Sequence, residues 1–224
     1  FSSHVSKTLN VDEIMTLMND IILKCVETKY VYICLSDNNG DFIIRHSSSP
    51  LRKNNYTINH DNPVVVELMN SDDMIFYSEF KQSVNYRSMR DSEKNLFESL
   101  DIEGIVPIKQ ETLIGLILLA PKPRRAGYVY GEINFLSSVA SISAIALINS
   151  KMYEAAYLEA RTDELTGLLN RKYFYETLNN EYEKLGERQL SLIMVSVDDV
   201  RLYNQLYGNK EGDIVLVNIA RIMQ

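Results

Sequence analysis

Thr162-Asp163-Glu164-Leu165-Thr166-Gly167-Leu168-Leu169-Asn170-Arg171-Lys172-Tyr173-Phe174 stands where one long helical pattern ends and a new folded unit begins. Upstream, residues 130–162 hold no proline and no glycine after Gly131. Phe135, Val139, Ile142, Ala146, Asn149, Tyr153, Ala156 and Ala160 recur there in alternating steps of four and three. That is a coiled-coil-like seam of mostly small side chains, which lets two helices approach closely. Leu136, Ala140 and Leu147 lie on other faces, so the first half is also expected to pack on a sheet. Downstream, Asn170 is placed to cap a helix over Arg171–Leu185, with Phe174, Leu178, Tyr182 and Leu185 as its buried stripe.

Composition bounds the rest. A chain of 224 residues suggests one or two domains. With 46% hydrophobic and 24% charged residues it can build an ordinary core. No uninterrupted apolar run reaches the roughly 18–20 residues of a membrane span, so no membrane contact is expected from this segment. The net charge of −7 excludes the broad basic face that nucleic acid requires. Cys25 and Cys34 make neither a disulfide framework nor a zinc site. They point to a reducing cytoplasm, whether for the chain or for the cytoplasmic portion of a larger protein, and read as small buried hydrophobes. His4, His46 and His60 show no ligand spacing. The chain opens on Phe1 and stops at Gln224 inside a helical pattern, so both ends read as cut.

Toward the N-terminus, residues 10–29 predict an amphipathic helix capped by Asn10, with Ile14, Met18, Ile21, Ile22 and Cys25 inward. Tyr30–Ser36 and Phe42–His46 read as a hairpin around Asp37-Asn38-Asn39-Gly40, because Asn and Gly tolerate positive φ. Pro50–Asp61 reads as a loop. Pro63–Met69 is a short helix capped by Asn62, and Met74–Tyr77 a short strand. Lys81–Arg90 reads as irregular and Ser92–Leu100 as a helix. Gly104–Lys109 and Leu113–Ala120 form a second hairpin. This order predicts an α+β fold, an antiparallel sheet covered by helices.

Beyond Asp163 the pattern is α/β. Leu190–Val197 is almost purely apolar, as expected of a strand buried on both faces. Asp198 and Asp199 close it and open a short helix ended by Gly208, and Asp213–Met223 is another apolar-striped helix.

Two resemblances follow from these residues. Val106-Pro107-Ile108, Leu113-Ile114-Gly115-Leu116-Ile117, Phe135-Leu136 and Ala144-Ile145-Ala146-Leu147-Ile148-Asn149 make residues 1–150 similar to a GAF sensor domain. Residues 130–162 then form the connecting and dimerising helix. From residue 163 the chain resembles the N-terminal part of a GGDEF domain, the catalytic module of diguanylate cyclases. Its opening motif falls on Asp163, Leu165, Thr166, Gly167, Leu168, Asn170 and Arg171. The resemblance implies a guanine contact at Asn204, a purine contact at Asp213 and a phosphate contact at Arg201, a planar fork where the family has Lys. It implies an Asp carboxylate that helps hold Mg²⁺ on the GTP phosphates. Here Asp198 and the Val197 carbonyl remain, while Ser196 stands where the family has its first Asp, so weak or absent Mg²⁺ binding is expected. The glycine-rich hairpin with two acids does not occur in these residues, so the chain is expected to carry no complete catalytic set and to make no product by itself.

Three functions fit. The first is a bacterial sensor controlling conversion of GTP to cyclic di-GMP, as a homodimer through the 130–162 helix. The second is a non-catalytic module that binds GTP or relays a signal to another output domain. The third is a dimeric GAF receptor for a small ligand. No signature names that ligand. Tyr30, Tyr32 and Phe76 are candidates to line either the core or a pocket between the sheet and the crossover segments.

Overall fold

The computed structural model describes Val5, Thr8 and residues 10–50, 56–184 and 189–223, and of Arg125 the backbone alone. His4, Leu185, Gln224 and residues 51–55 of the expected loop lie outside these. The chain divides into two compact units, Phe1–Lys151 and Met152–Gln224.

The first unit is built on the two-sided hydrophobicity of its central strands. β1 (Val31–Ser36), β6 (Leu113–Leu119) and β5 (Gly104–Lys109) are buried along nearly their whole length. With β2 (Phe42–Ser47), β3 (Thr57–Ile58) and β4 (Ile75–Phe76) they form a six-stranded sheet in the order β3-β2-β1-β6-β5-β4. Every pairing is antiparallel. Side chains alternate between faces along each strand. Val31, Ile33, Leu35, Ile117 and Leu119 enter one core, and Tyr32, Cys34, Leu116 and Leu118 the other. Pro107 is tolerated in β5 because β4 pairs only with Gly104 and Ile105, leaving that side of the strand open.

Helix α1 (Val11–Cys25) covers the first face. Asn10 caps it, accepting from the Asp12 amide at 2.9 Å and the Glu13 amide at 3.1 Å. The helix ends four residues before the expected Lys29. Its buried stripe runs through Ile14, Met15, Met18, Asn19 and Ile22 and continues at Val26, leaving Cys25 exposed on the last turn. The expectation of two buried cysteines therefore holds for Cys34 alone, whose thiol is pushed far up by burial.

The second face is covered by α2 (Pro63–Asn70), α3 (Tyr77–Phe80), α4 (Val84–Ser88) and α5 (Asp91–Ser99). Asn62 caps α2 through the Val64 amide at 2.9 Å. Three segments differ from the sequence reading. The 50–61 loop contributes β3, whose Thr57 and Ile58 pair with Ile43 and Phe42. Tyr77 turns into α3 instead of ending a strand. Irregular 81–90 holds the single turn of α4, capped by Ser83. All three are too short to show a period, and tertiary packing decides them. Tyr77, Phe80, Phe97 and Tyr86 cluster there, with ring centroids 5.2 Å apart for Tyr77 and Phe97.

Helix α6 (Tyr130–Glu159) returns to the first face. Leu136, Val139, Ala140, Ala144, Ala146 and Leu147 are buried against it. By length, and by a mean hydropathy of 1.5 over an 18-residue stretch, this helix could cross a membrane. No uninterrupted apolar run marks it in the sequence because Ser and Asn interrupt it, and the buried stripe is used on the sheet. Half of the expected seam is thus occupied within the unit, while Tyr153 (52% exposed), Ala156 and Ala160 are open.

Gly115 faces β1 where there is no room for a side chain, since a Cβ there would meet the Cys34 carbonyl oxygen at 2.6 Å. Gly115→Ala is expected to lower stability by about 1–3 kcal/mol as the strands part, read from the urea midpoint by far-ultraviolet circular dichroism. An unchanged midpoint would show that the β1–β6 ladder yields freely.

Candidate functional site

The second unit opens with the motif quoted above, which forms a hydrogen-bonded clasp between α6 and α7 (Arg171–Glu183). Its first layer is backbone: Thr162 and Leu169 form an antiparallel bridge, and the Asp163 amide donates to the Leu168 carbonyl at 2.8 Å. Gly167 closes the turn with φ +69, a conformation that favours glycine, and donates to the Asp163 carbonyl at 2.9 Å. The second layer is side chain. Asp163 Oδ1 accepts from the Thr166 amide at 2.9 Å and the Thr166 hydroxyl at 2.8 Å. These bonds, the hydroxyl first, hold the Asp163 carboxyl below the usual carboxylate range.

Asn170 works at both ends. Its Oδ1 accepts from the Tyr173 amide at 3.0 Å, capping α7, and its Nδ2 donates to the Ala160 carbonyl at 2.9 Å, closing the end of α6. The sequence reading found this cap but not its neighbour. The Arg161 guanidinium lies 3.4 Å from the Tyr157 ring centre and 4.0 Å from that of Tyr173, and donates to the Tyr173 hydroxyl at 2.7 Å. The only sequence signal was a cation beside the motif with aromatic residues four back and twelve on. Of the remaining motif positions, Leu165 is 41% exposed, Leu168 is half-buried and Arg171 is exposed, 6.0 Å from the Tyr175 ring centre.

Arg201, Asn204 and Asp213, the residues expected to contact nucleotide, lie on α8 (Val200–Tyr207) and α9 (Asn209–Met223). The second of these helices starts four residues earlier than Asp213. Gly208, with φ +91, makes the corner between them. Asn204 lies against Gly212, where any Cβ would collide with its amide oxygen. That oxygen is buried and has no hydrogen-bond partner among the described residues. Arg201 and Asn204 line a shallow depression of about 480 Å³ together with Val200, Gln205 and Asn209. Asp213 follows Gly212 in the chain and is exposed. Gly212, the seat of Asn204, is the position that sequence alone did not single out.

Leu190–Val197 is the largest departure. None of these residues is in a strand, and they are exposed, Met194 by 91% and Ile193 by 84%. A strand needs partners for its amide groups, and the second unit contributes no other named strand among its described residues. Ser196 and the Val197 carbonyl therefore sit on an exposed stretch outside any strand, and Asp198 in the turn that follows. Asp199 follows with φ +57 and makes no side-chain cap bond to α8. No group of three His, Cys, Asp or Glu gathers among the described residues. One carboxylate, one hydroxyl and one carbonyl fall short of the charged oxygen set that Mg²⁺ requires, so this arrangement does not fit the ion.

Residues 160–224 match the family model described as diguanylate cyclase, GGDEF domain. Diguanylate cyclase A of Treponema denticola is 31% identical over 203 residues, 87% of this chain and 50% of the relative. The chain thus spans half the length of that protein. The first unit's fold resembles residues 122 to 287 of a methyl-accepting chemotaxis protein, at TM-score 0.56 and 15% identity, covering 69% of this chain and 98% of the other. It also resembles a GAF domain/HD domain protein from Geobacter sulfurreducens, at TM-score 0.53 and 16% identity, covering 68% and 99%.

Two outcomes test the clasp. Asn170→Ala removes a cap worth about 1–2 kcal/mol and is expected to speed hydrogen exchange across residues 160–175, leaving the β1–β6 amides unchanged. Because the Asp163 carboxyl lies below its ordinary value in the folded state, its contribution is complete at neutral pH and is lost as the pH falls through that lowered value. Protection of the Thr166 amide should fall on acidification in the wild type, and stay flat in Asp163→Asn. Equal profiles would reject the carboxylate's role.

Proposed function

We propose that this chain, a GAF-type fold followed by the opening part of a GGDEF domain, is the sensing and transmitting portion of a bacterial cyclic-dinucleotide signalling protein. The first unit takes a small ligand, α6 carries its effect, and the second unit holds a guanine nucleotide. One observation carries the nucleotide reading: the Asn204 amide is seated on Gly212 with an unpartnered oxygen, in the depression it shares with Arg201 and one residue before Asp213 along the next helix. A side-chain amide carries a donor and an acceptor in one plane, the pattern that matches a guanine edge; with its oxygen buried against Gly212, the amide would turn outward to offer both. Asp213 would accept from the purine, and the Arg201 fork would meet phosphate oxygens. In this reading, GTP is condensed to cyclic di-GMP in the complete protein. Two copies paired through the 130–162 helix, along the open Tyr153–Ala160 side, would bring two nucleotides face to face. Control would be a shift between helix packings that the sensor's ligand biases.

Ser196 favours a second reading, in which the GGDEF unit binds GTP without turnover. A neutral hydroxyl cannot replace the charge that a carboxylate brings to a Mg²⁺-phosphate cluster. The two readings separate in the full-length protein incubated with GTP and Mg²⁺. Cyclic di-GMP formed by the wild type supports the first. Binding without product, with turnover gained in Ser196→Asp, supports the second. No GTP binding at all would reject both.

Gly212→Ala reads the same site independently of metal. It is expected to displace Asn204 and weaken GTP binding by about tenfold, the cost of one misplaced hydrogen-bonding group, as measured by calorimetry. Affinity equal to the wild type would remove Asn204 from the nucleotide site.

A further inference from the structure

The first unit contains a cavity of about 400 Å³, within the range of about 300–1,000 Å³ usual for small-molecule sites. It lies at the β4 edge of the sheet, beside the space under the crossover helices that Tyr32, Phe42 and Leu68 fill, with Phe97 bordering both. Its walls are the β4–α3 corner, the end of α5 and the strap of residues 121–128 that leads from β6 to α6. We infer that this cavity binds a small organic cation with a flat apolar body, the ligand class of the sensing unit. The inference rests on the sensor role proposed above and adds to it a place and a chemistry.

The apolar wall is aromatic. Phe76 and Tyr128 border the space with ring centroids 6.3 Å apart at an interplanar angle of 40°. Rings so placed accept a flat body by stacking or edge contact and attract a cation over their faces.

The polar wall decides the sign of the ligand. Glu98, Asp101 and Glu103 line it against Lys81 and Lys122. Both lysines are already matched, Lys81 by Glu98 at 3.1 Å and Lys122 by two bonds of 2.7 and 2.9 Å to Glu132. Glu103 receives the Ser78 hydroxyl at 2.7 Å. The Asp101 carboxylate makes no hydrogen bond or ion pair among the described residues. Among the described residues, neither Asp101 nor Glu103 has a cationic partner. Asp101 also lies just past the C-terminal end of α5, where the helix presents its negative end. Asp101 is exposed and Glu103 half-buried, so water screens part of their charge, and what remains disfavours an anion and favours an ammonium, amidinium or guanidinium.

The strap gives the site a route outward. The Tyr128 hydroxyl donates to the Ala120 carbonyl at 2.7 Å, and Glu132 in the first turn of α6 takes both Lys122 and the Val129 amide, the latter at 2.9 Å. An occupant touching Tyr128 and Lys122 bears on groups that set the start of α6.

The test titrates the full-length protein with benzamidinium, benzoate and benzamide, three flat molecules of one size that differ in charge, and follows the Phe76 and Tyr128 ring resonances. Benzamidinium is expected to shift both rings saturably. Asp101→Asn and Glu103→Gln should each weaken it about tenfold or more, the usual effect of losing a charge-assisted bond. Asn is the safe replacement at position 101, where φ is +50, because it adopts that region readily. Benzoate binding as tightly as benzamidinium, affinity unchanged in both variants, or no ring shift would each overturn the site. GTP binding measured on the same samples separates the two ideas: its loss with the cation site intact rejects only the nucleotide reading, and the reverse outcome rejects only this one.

Discussion

The burial of β1, β6 and β5 on both faces is the constraint from which the first unit follows. Strands that place Val31, Ile33 and Leu35 on one side and Tyr32 and Cys34 on the other cannot leave either face in water. Two helical layers are then obligatory. The two long helices, α1 and α6, take one face, and four short ones take the other. Because α6 must return to the sheet after β6, the intervening strap crosses the β4 edge and roofs the cavity there. The candidate ligand site and the start of α6 are thus consequences of one topological demand.

The clasp at residues 161–173 shows a sequence motif acting as structure. Its Asp, Thr, Gly and Asn do not converge on a ligand. They satisfy the last carbonyls of one helix and the first amides of the next, as helix ends generally require. Asn170 bonds to both helices at once, and Arg161 fills the gap between Tyr157 and Tyr173. A short connection held by this many local bonds ties the start of α7 to the last turn of α6.

Past the clasp the second unit is held mainly by local contacts. Gly212 and Ala220 are its buried residues among those described, and the run 190–197 stays open with its apolar side chains exposed. Such a run has the composition of a core strand without the neighbours that make one. The seat of Asn204 survives this because α8 and α9 are adjacent in sequence, so a single corner at Gly208 brings the two helices together.

The sequence by itself determined what is local and periodic. The caps at Asn10, Asn62 and Asn170, the 36–42 hairpin, the central strands and the long helix were legible because each depends on residues a few positions apart. The opening motif and the Asn204–Asp213 spacing were legible in the same way. Only tertiary structure decided the rest. It set β3 and the short helices α3 and α4, which carry no period of their own. It turned Cys25 outward and assigned half of the α6 seam to the sheet. It also brought Asp101, Glu103, Phe76 and Tyr128 to one cavity from distant parts of the chain. The reason is physical: propensity and capping are written in neighbours, whereas burial, strand pairing and the charge balance of a cavity depend on which distant segments arrive together.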